Sequence, residues 1–353
     1  MKITKQFFIL GMVLFVLLAG LAPAGAQTQQ ASYIETEVEF SSNGIQLAGT
    51  LTLPQPLEYS ASVVLFIHGS GPQDRNESPA RLFNTLARQL ALKSIASLRY
   101  DKRGIGQSQG DFLKASFTDL VNDAKAAVQF LRTVKEVNAA KLFLVGHSEG
   151  GYIVAELAAA GFVSGGIVSL AGPARSLDAI LLWQTEAIAR ASNLNESTVQ
   201  ASLAFYRAFI GFAKQSQGEW ENYTLEQVQT FIPGINQQLF DAFRQAAALA
   251  WWREHFNRNN VDTLRRVKTP TLVIQGNKDL QVPWDEALLW AQELNKSGNS
   301  DVQVHILADL NHILRRDLNE PDLPVRYRFS DPTDPRIFSL LQEWIAQILE
   351  RSS

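Results

Sequence analysis

Ser148 stands in the run Leu142-Phe143-Leu144-Val145-Gly146-His147-Ser148-Glu149-Gly150-Gly151, where an apolar, strand-like segment meets a helix-like one beginning at Tyr152. A serine hydroxyl can attack a carbonyl carbon only if it stands clear of its own backbone, and a sharp strand-to-helix turn achieves this. Its neighbours two positions away must then be small, as Gly146 and Gly150 are. The same turn sets the N–H of Glu149 at a helix start, where it faces a developing oxyanion. A chance G-x-S-x-G is an ordinary glycine-rich turn; the strand and helix on either side distinguish this one.

Such a nucleophile needs a base, and the base needs a carboxylate to fix its tautomer. The chain has five histidines. His68 ends a strand-like run and His147 sits inside the turn, so each has a local structural explanation. His305 alternates with apolar residues in a strand-like run, and His255 lies in or just after a helical region. His312 differs, standing in the loop Ala308-Asp309-Leu310-Asn311-His312 beyond a strand end, from which a base can swing towards Ser148. For the acid, Asp279 directly follows the strand-like Thr271–Ile274, although an Asx turn would also explain it. Asp285 reads as helix-start charge, Asp309 is too close in sequence to His312, and Asp101 reads as organising its own turn. A second oxyanion donor is expected from His68-Gly69-Ser70-Gly71-Pro72: the Ser70 N–H, with Gly69 as the nearest alternative.

These residues require a sheet whose strand ends converge. A hairpin is expected over Glu37–Phe40 and Ile45–Leu53 around Ser42-Asn43-Gly44. Buried-type strands follow at Val63–Ile67, Ile95–Leu98, the run before Ser148, Gly166–Leu170, Thr271–Ile274 and Val302–Ile306. Helical patterns at Ala80–Leu92, Phe117–Val134, Trp284–Leu294 and Ile337–Leu349 alternate with them. The alternation predicts an α/β fold, a mostly parallel central sheet with helices on both faces. Residues 175–265 break the rhythm. Stripes at Val199, Leu203, Tyr206, Ile210 and Ala213, and at Ile235, Leu239, Phe243 and Ala247, predict a helical cap insertion above the strand C-termini. The expected organisation is a signal peptide over 1–26, core over 27–174, cap over 175–265 and core again over 266–353.

Lys2 and Lys5, the apolar Phe7–Leu21 and Ala24-Gly25-Ala26 have the order of an export leader, which predicts a periplasmic or secreted protein without a stable membrane anchor after cleavage. Removing the leader leaves 30 basic and 35 acidic residues, a net charge of −5 and no footprint for nucleic acid. The chain lacks cysteine, which excludes disulfides and thiolate metal sites. No His, Asp and Glu cluster with ligand spacing is visible, so neither metal nor cofactor is expected.

His68-Gly69, the Asp101-x-Arg103-Gly104-x-Gly106-x-Ser108 turn, Gly146-x-Ser148-x-Gly150, the Asp279 loop and Asn311-His312 together resemble the α/β-hydrolase superfamily. The stretch His68–Arg75 is similar to exported bacterial serine esterases related to dienelactone hydrolases and prolyl-oligopeptidase-like enzymes. The resemblance implies hydrolysis of carboxylic esters through an acyl-enzyme; with the aromatic residues of the cap expected to line an apolar pocket, the expected substrate is a small-molecule ester of small to medium acyl chain. Ser148 would be the nucleophile, His312 the base and Asp279 its orienting carboxylate. The segment Arg315–Pro335 falls outside that pattern. A proline-iminopeptidase-type serine peptidase is the nearest alternative; it would need Glu186, Glu219 and Glu221 to converge on the pocket and bind a free amino terminus. A non-catalytic binding protein on the same fold is the alternative from another class.

Overall fold

The computed structural model describes residues 32–57, 59–318 and 323–351; the expected leader lies outside them. The hairpin comes first, β1 (Ser32–Ser42) and β2 (Ile45–Gln55), turning at Asn43 and Gly44, both with positive φ. Then β3 (Ala61–Ile67), α1 (Leu82–Ala91), β4 (Ala96–Tyr100), α2 (Phe117–Leu131), β5 (Val137–His147), α3 (Gly150–Ala159) and β6 (Gly166–Leu170) alternate. After a helical insertion come β7 (Thr271–Gly276), α10 (Glu286–Lys296), β8 (Val302–Leu307) and α11 (Pro335–Arg351). The strands form one sheet in the order β1-β2-β4-β3-β5-β6-β7-β8, antiparallel at the hairpin edge and parallel from β4 onwards. This is the α/β-hydrolase fold.

The central strands are mainly apolar because both faces are covered. Val63, Leu65 and Ile67 of β3 belong to the core shared with α2, α3 and α10, whereas Val64 and Phe66 belong to the core shared with α1 and α11 on the opposite face. Helix starts follow local capping. Ser116 and Asp119 form a reciprocal capping box that sets the first turn of α2, and Asn195 caps the helix starting at Glu196 through the N–H of Thr198. Helix α1 begins at Leu82 rather than Ala80, because Arg81 just before it is left-handed.

The insertion contains α4 (Leu177–Ala191), α5 (Glu196–Gln215), α6 (Leu225–Gln229), α7 (Gln237–Ala246), α8 (Leu249–Asn257) and α9 (Asn260–Leu264), with no strand among its described residues. It has its own core, centred on Phe209, Phe212, Trp220, Phe240 and Phe256. Of the two expected stripes, that on α5 buries Val199, Leu203, Ile210 and Ala213. The second differs. Asn236 caps α7 through the N–H of Leu239, leaving Ile235 in the preceding turn, so that Phe240 faces inward and Leu239 outward. No helix among the described residues is long and apolar enough to cross a membrane.

The outer helix α11 is anchored by Trp344, which is fully buried and lies edge-on to Phe143 with ring centroids 5.8 Å apart. A Cβ on Gly166 would lie only 2.4 Å from the Trp344 ring. Trp344→Ala is therefore expected to cost about 3–5 kcal/mol, measurable as a lower urea midpoint.

Candidate active site

Strand β5 ends at His147, and Ser148 follows with φ of 51°, a conformation that non-glycine residues rarely adopt. The Ser148 N–H donates to the Leu170 carbonyl at 2.9 Å, and the Gly151 N–H donates to the Ser148 carbonyl at 2.9 Å. A Cβ on Gly146 would lie 2.2 Å from the Gly150 carbonyl oxygen, and one on Gly150 would lie 2.2 Å from that of Ile67. The two glycines thus allow backbone to press on backbone, while Ser148 itself carries the unusual dihedral.

Asp279 lies three residues beyond β7 and His312 five residues beyond β8, both past strand C-termini like Ser148. The His312 Nε2 is 3.1 Å from Ser148 Oγ, and its Nδ1 is 2.7 Å from Asp279 Oδ2. The carboxylate only accepts, so Nδ1 carries the proton and the Nε2 lone pair faces the serine hydroxyl. The other oxygen, Asp279 Oδ1, accepts from the N–H groups of Gln281 at 2.7 Å and Val282 at 2.9 Å. The turn role and the histidine contact therefore coexist, on separate oxygens. Gln275 supports the arrangement, its Nε2 donating to Asp279 Oδ2 at 2.9 Å.

Of the two glycine-loop amides weighed as oxyanion donors, that of Gly69 is already engaged, donating to Glu77 Oε1 at 2.7 Å. The N–H groups of Ser70 and Glu149 have no intramolecular acceptor among the described residues, and both residues border the cleft beside Ser148. Asp101 accepts from Arg75 and from the Gln107 N–H, organising its turn. Asp285 contacts Arg175 just ahead of α10, and Asp309 faces Lys278 and Arg316. His68 meets the Tyr100 carbonyl, and burial together with nearby Lys102 pushes its pKa down to about 4.

Two buried glutamates that sequence reasoning did not single out by their side chains surround this site. Glu149 accepts from Lys102 Nζ at 2.9 Å, Trp251 Nε1 at 2.6 Å and His255 Nε2 at 2.9 Å, the last two from α8 of the insertion. Lys102 also donates to the Gly69 carbonyl at 2.7 Å. Burial alone would raise the Glu149 pKa, but Lys102 and the His255 contact hold it down at about 2. Burial lowers the His255 pKa, so this ring donates while neutral. Glu77 faces His147, 2.8 Å from its Nδ1. Each partner comes from a distant part of the chain, and no local motif pairs them.

Two clefts meet at Ser148 and His312. One, of about 140 Å³, is bordered by Leu177, Ile180, Leu181, Trp251 and Trp252 of the insertion. The other, of about 300 Å³, lies between the loop carrying Ser78 to Ala80 and a wall of Pro324, Tyr327 and Phe329. That wall belongs to the segment without a sequence-based role. Arg315 pins it, donating to the carbonyls of Ala80 at 2.7 Å and Phe329 at 3.1 Å. Glu186 pairs instead with Arg190, Glu219 with Arg253, and Glu221 borders a separate depression beside Arg244; none of the three lines either cleft. Among the described residues no cluster of His, Asp and Glu is placed to hold a metal.

The Glu149 contacts generate an acid limit. A carboxyl whose folded pKa lies below its ordinary 4.5 stabilises the fold above that value and loses this contribution as pH falls towards about 2. Glu149→Gln leaves Lys102 buried without its counter-ion, an expected cost of about 3–5 kcal/mol in urea unfolding at neutral pH. The variant's stability should also depend less on pH across the acid range.

The family described as Serine aminopeptidase, S33, matches residues 59–321. Esterase EstD of Thermotoga maritima is 27% identical over 316 residues, covering 88% of this chain and 68% of that protein. Among solved structures, Est1E of Butyrivibrio proteoclasticus with bound ferulic acid is similar at a TM-score of 0.55 and 15% identity, covering 89% of this chain and 98% of that one. The Pyrococcus furiosus esterase Pf2001 is similar at 0.55 and 15%, covering 89% and 91%. With three quarters of its length matched and the hydrolase sheet order in place, the chain belongs to the serine aminopeptidase S33 family of α/β-hydrolases.

Proposed function

We infer that the protein is a serine carboxylesterase that cleaves esters of small to medium acyl chain through an acyl-enzyme. The observation that carries this reading is the hydrogen-bonded line Ser148–His312–Asp279, opening on two clefts beside two unengaged amides. His312 Nε2 takes the hydroxyl proton as Ser148 Oγ bonds to the ester carbonyl carbon. The carbonyl electron pair moves onto oxygen, which the N–H groups of Ser70 and Glu149 stabilise. Collapse breaks the C–O bond, and the imidazolium returns its proton to the departing alkoxide. Water then repeats the sequence on the acyl-enzyme, releasing the acid and restoring Ser148.

The aminopeptidase alternative requires a carboxylate available to a substrate ammonium group. The glutamates lining the clefts, Glu77 and Glu149, are each already set against a protein partner, His147 and Lys102 respectively. This favours esters over peptides with free amino termini. The insertion acts as a cap whose tryptophans bound the smaller cleft, and the leader directs the protein out of the cytoplasm.

Hydrolysis of p-nitrophenyl esters of increasing chain length, beside aminoacyl p-nitroanilides, tests the reading. Esters should be turned over and anilides should not. Ser148→Ala should lower ester turnover on the order of a million-fold, by analogy with an unrelated serine hydrolase. A wild type no faster than Ser148→Ala would remove the catalytic reading. A fluorophosphonate adduct should map to Ser148, and faster anilide than ester cleavage would favour the peptidase.

A further inference from the structure

The buried imidazole of His147 lies between two acceptors. Its Nδ1 is 2.8 Å from Glu77 Oε1, and its Nε2 is 2.9 Å from the carbonyl oxygen of His312. A neutral ring has one N–H and would present a bare lone pair to one of these oxygens. The Gly69 N–H donates at 2.7 Å to the same Glu77 oxygen, which favours keeping negative charge there. The geometry therefore fits an imidazolium bonded at both nitrogens. The pair reaches three parts of the reacting centre: the amide next to Ser70 through Glu77, the main chain of His312 through the ring Nε2, and the turn carrying Ser148, in which His147 itself stands.

Resting on the triad assignment above, we propose that Glu77 and His147 form a positioning ion pair that holds His312 and the Ser70 loop in register with Ser148, and that losing the extra His147 proton sets the alkaline limit of activity.

The other charged or titratable groups around His147 fit this assignment. His68, behind Glu77, is kept neutral by burial and by Lys102. The negative charge of Asp279 favours the cation from the side of the base. The His312 ring lies with its centroid 5.1 Å from that of His147, the two planes tilted by 41°. Burial by itself would lower the His147 pKa, but Glu77 outweighs it and raises the value above the ordinary 6.5. His255 shows the contrast: its glutamate already has Lys102, and that ring stays neutral. The sign follows. The ion pair is intact below the ordinary histidine range, and its contribution disappears as pH rises through the elevated folded value.

The test is the pH profile of ester hydrolysis for wild type, Glu77→Gln and His147→Gln, with Ser148→Ala in parallel. Glu77→Gln removes the counter-ion, so the alkaline limb of kcat/KM should move to lower pH by about one unit or more. In His147→Gln that limb should vanish, with kcat reduced on the order of ten- to a hundred-fold and KM little changed, as expected for a displaced base. In wild type, ¹⁵N-resolved NMR of the His147 ring should show two N–H groups near pH 6. An alkaline limb unchanged in Glu77→Gln would overturn the proposal, as would a ring with a single N–H; the NMR measurement decides the matter even if the variants do not fold. If Ser148→Ala retains wild-type turnover, the triad assignment fails first, and this result is distinct from either of the others.

Discussion

Backbone pressed against backbone at the strand-to-helix turn is the constraint on which the rest depends. With hydrogen as their side chains, Gly146 and Gly150 let the start of α3 settle against the end of β3, and Ser148 is left in a left-handed conformation. The unfavourable dihedral is held by the ladder bonds of β5 to β3 and β6 and by the Ser148 N–H bond to Leu170. From that fixed point the hydroxyl clears the sheet, and the loops after β7 and β8 need only modest reach to bring Asp279 and His312 into line.

Around this turn the protein buries charge in two contrasting ways. Glu149 is set against a lysine and is further satisfied by an indole and an imidazole from the insertion, so one carboxylate joins the core to α8. Among the described residues Glu77 makes no salt bridge to a lysine or arginine, and its cation is the histidine that adjoins the nucleophile. The same two residue types in contact thus take different protonation states, decided by whether another cation has arrived first. Each arrangement reaches the oxyanion loop, one through the Gly69 carbonyl and the other through the Gly69 N–H.

Much of the fold was legible because buried parallel strands are short apolar runs, and those at Val63–Ile67, Gly166–Leu170 and Thr271–Ile274 lie in strands of the sheet. The chain order of Ser148, Asp279 and His312, each just beyond a strand end, was also readable. The ion pairs were not. Glu77 and His147 stand 70 positions apart, and His255 meets Glu149 across 106 positions. Only the folded sheet brings such partners together, and a charge pattern read along the chain has no term for that. Of the stripe ending in Ala247, Ile235, Phe243 and Ala247 pack inward but Leu239 does not, for a local reason: a helical period was extended through Ile235, where Asn236 begins a new helix.

The two clefts share Ser70 and Gln281 beside the reacting atoms, but their outer walls come from different parts of the chain. One draws on Leu177–Trp252 of the insertion, the other on Pro324–Phe329 beyond His312, and both open onto the same reacting atoms. Drift in either wall can reshape one half of a bound molecule's surroundings while the opposite half and the chemistry stay as they were. Such a scaffold can diversify what it accepts one end at a time.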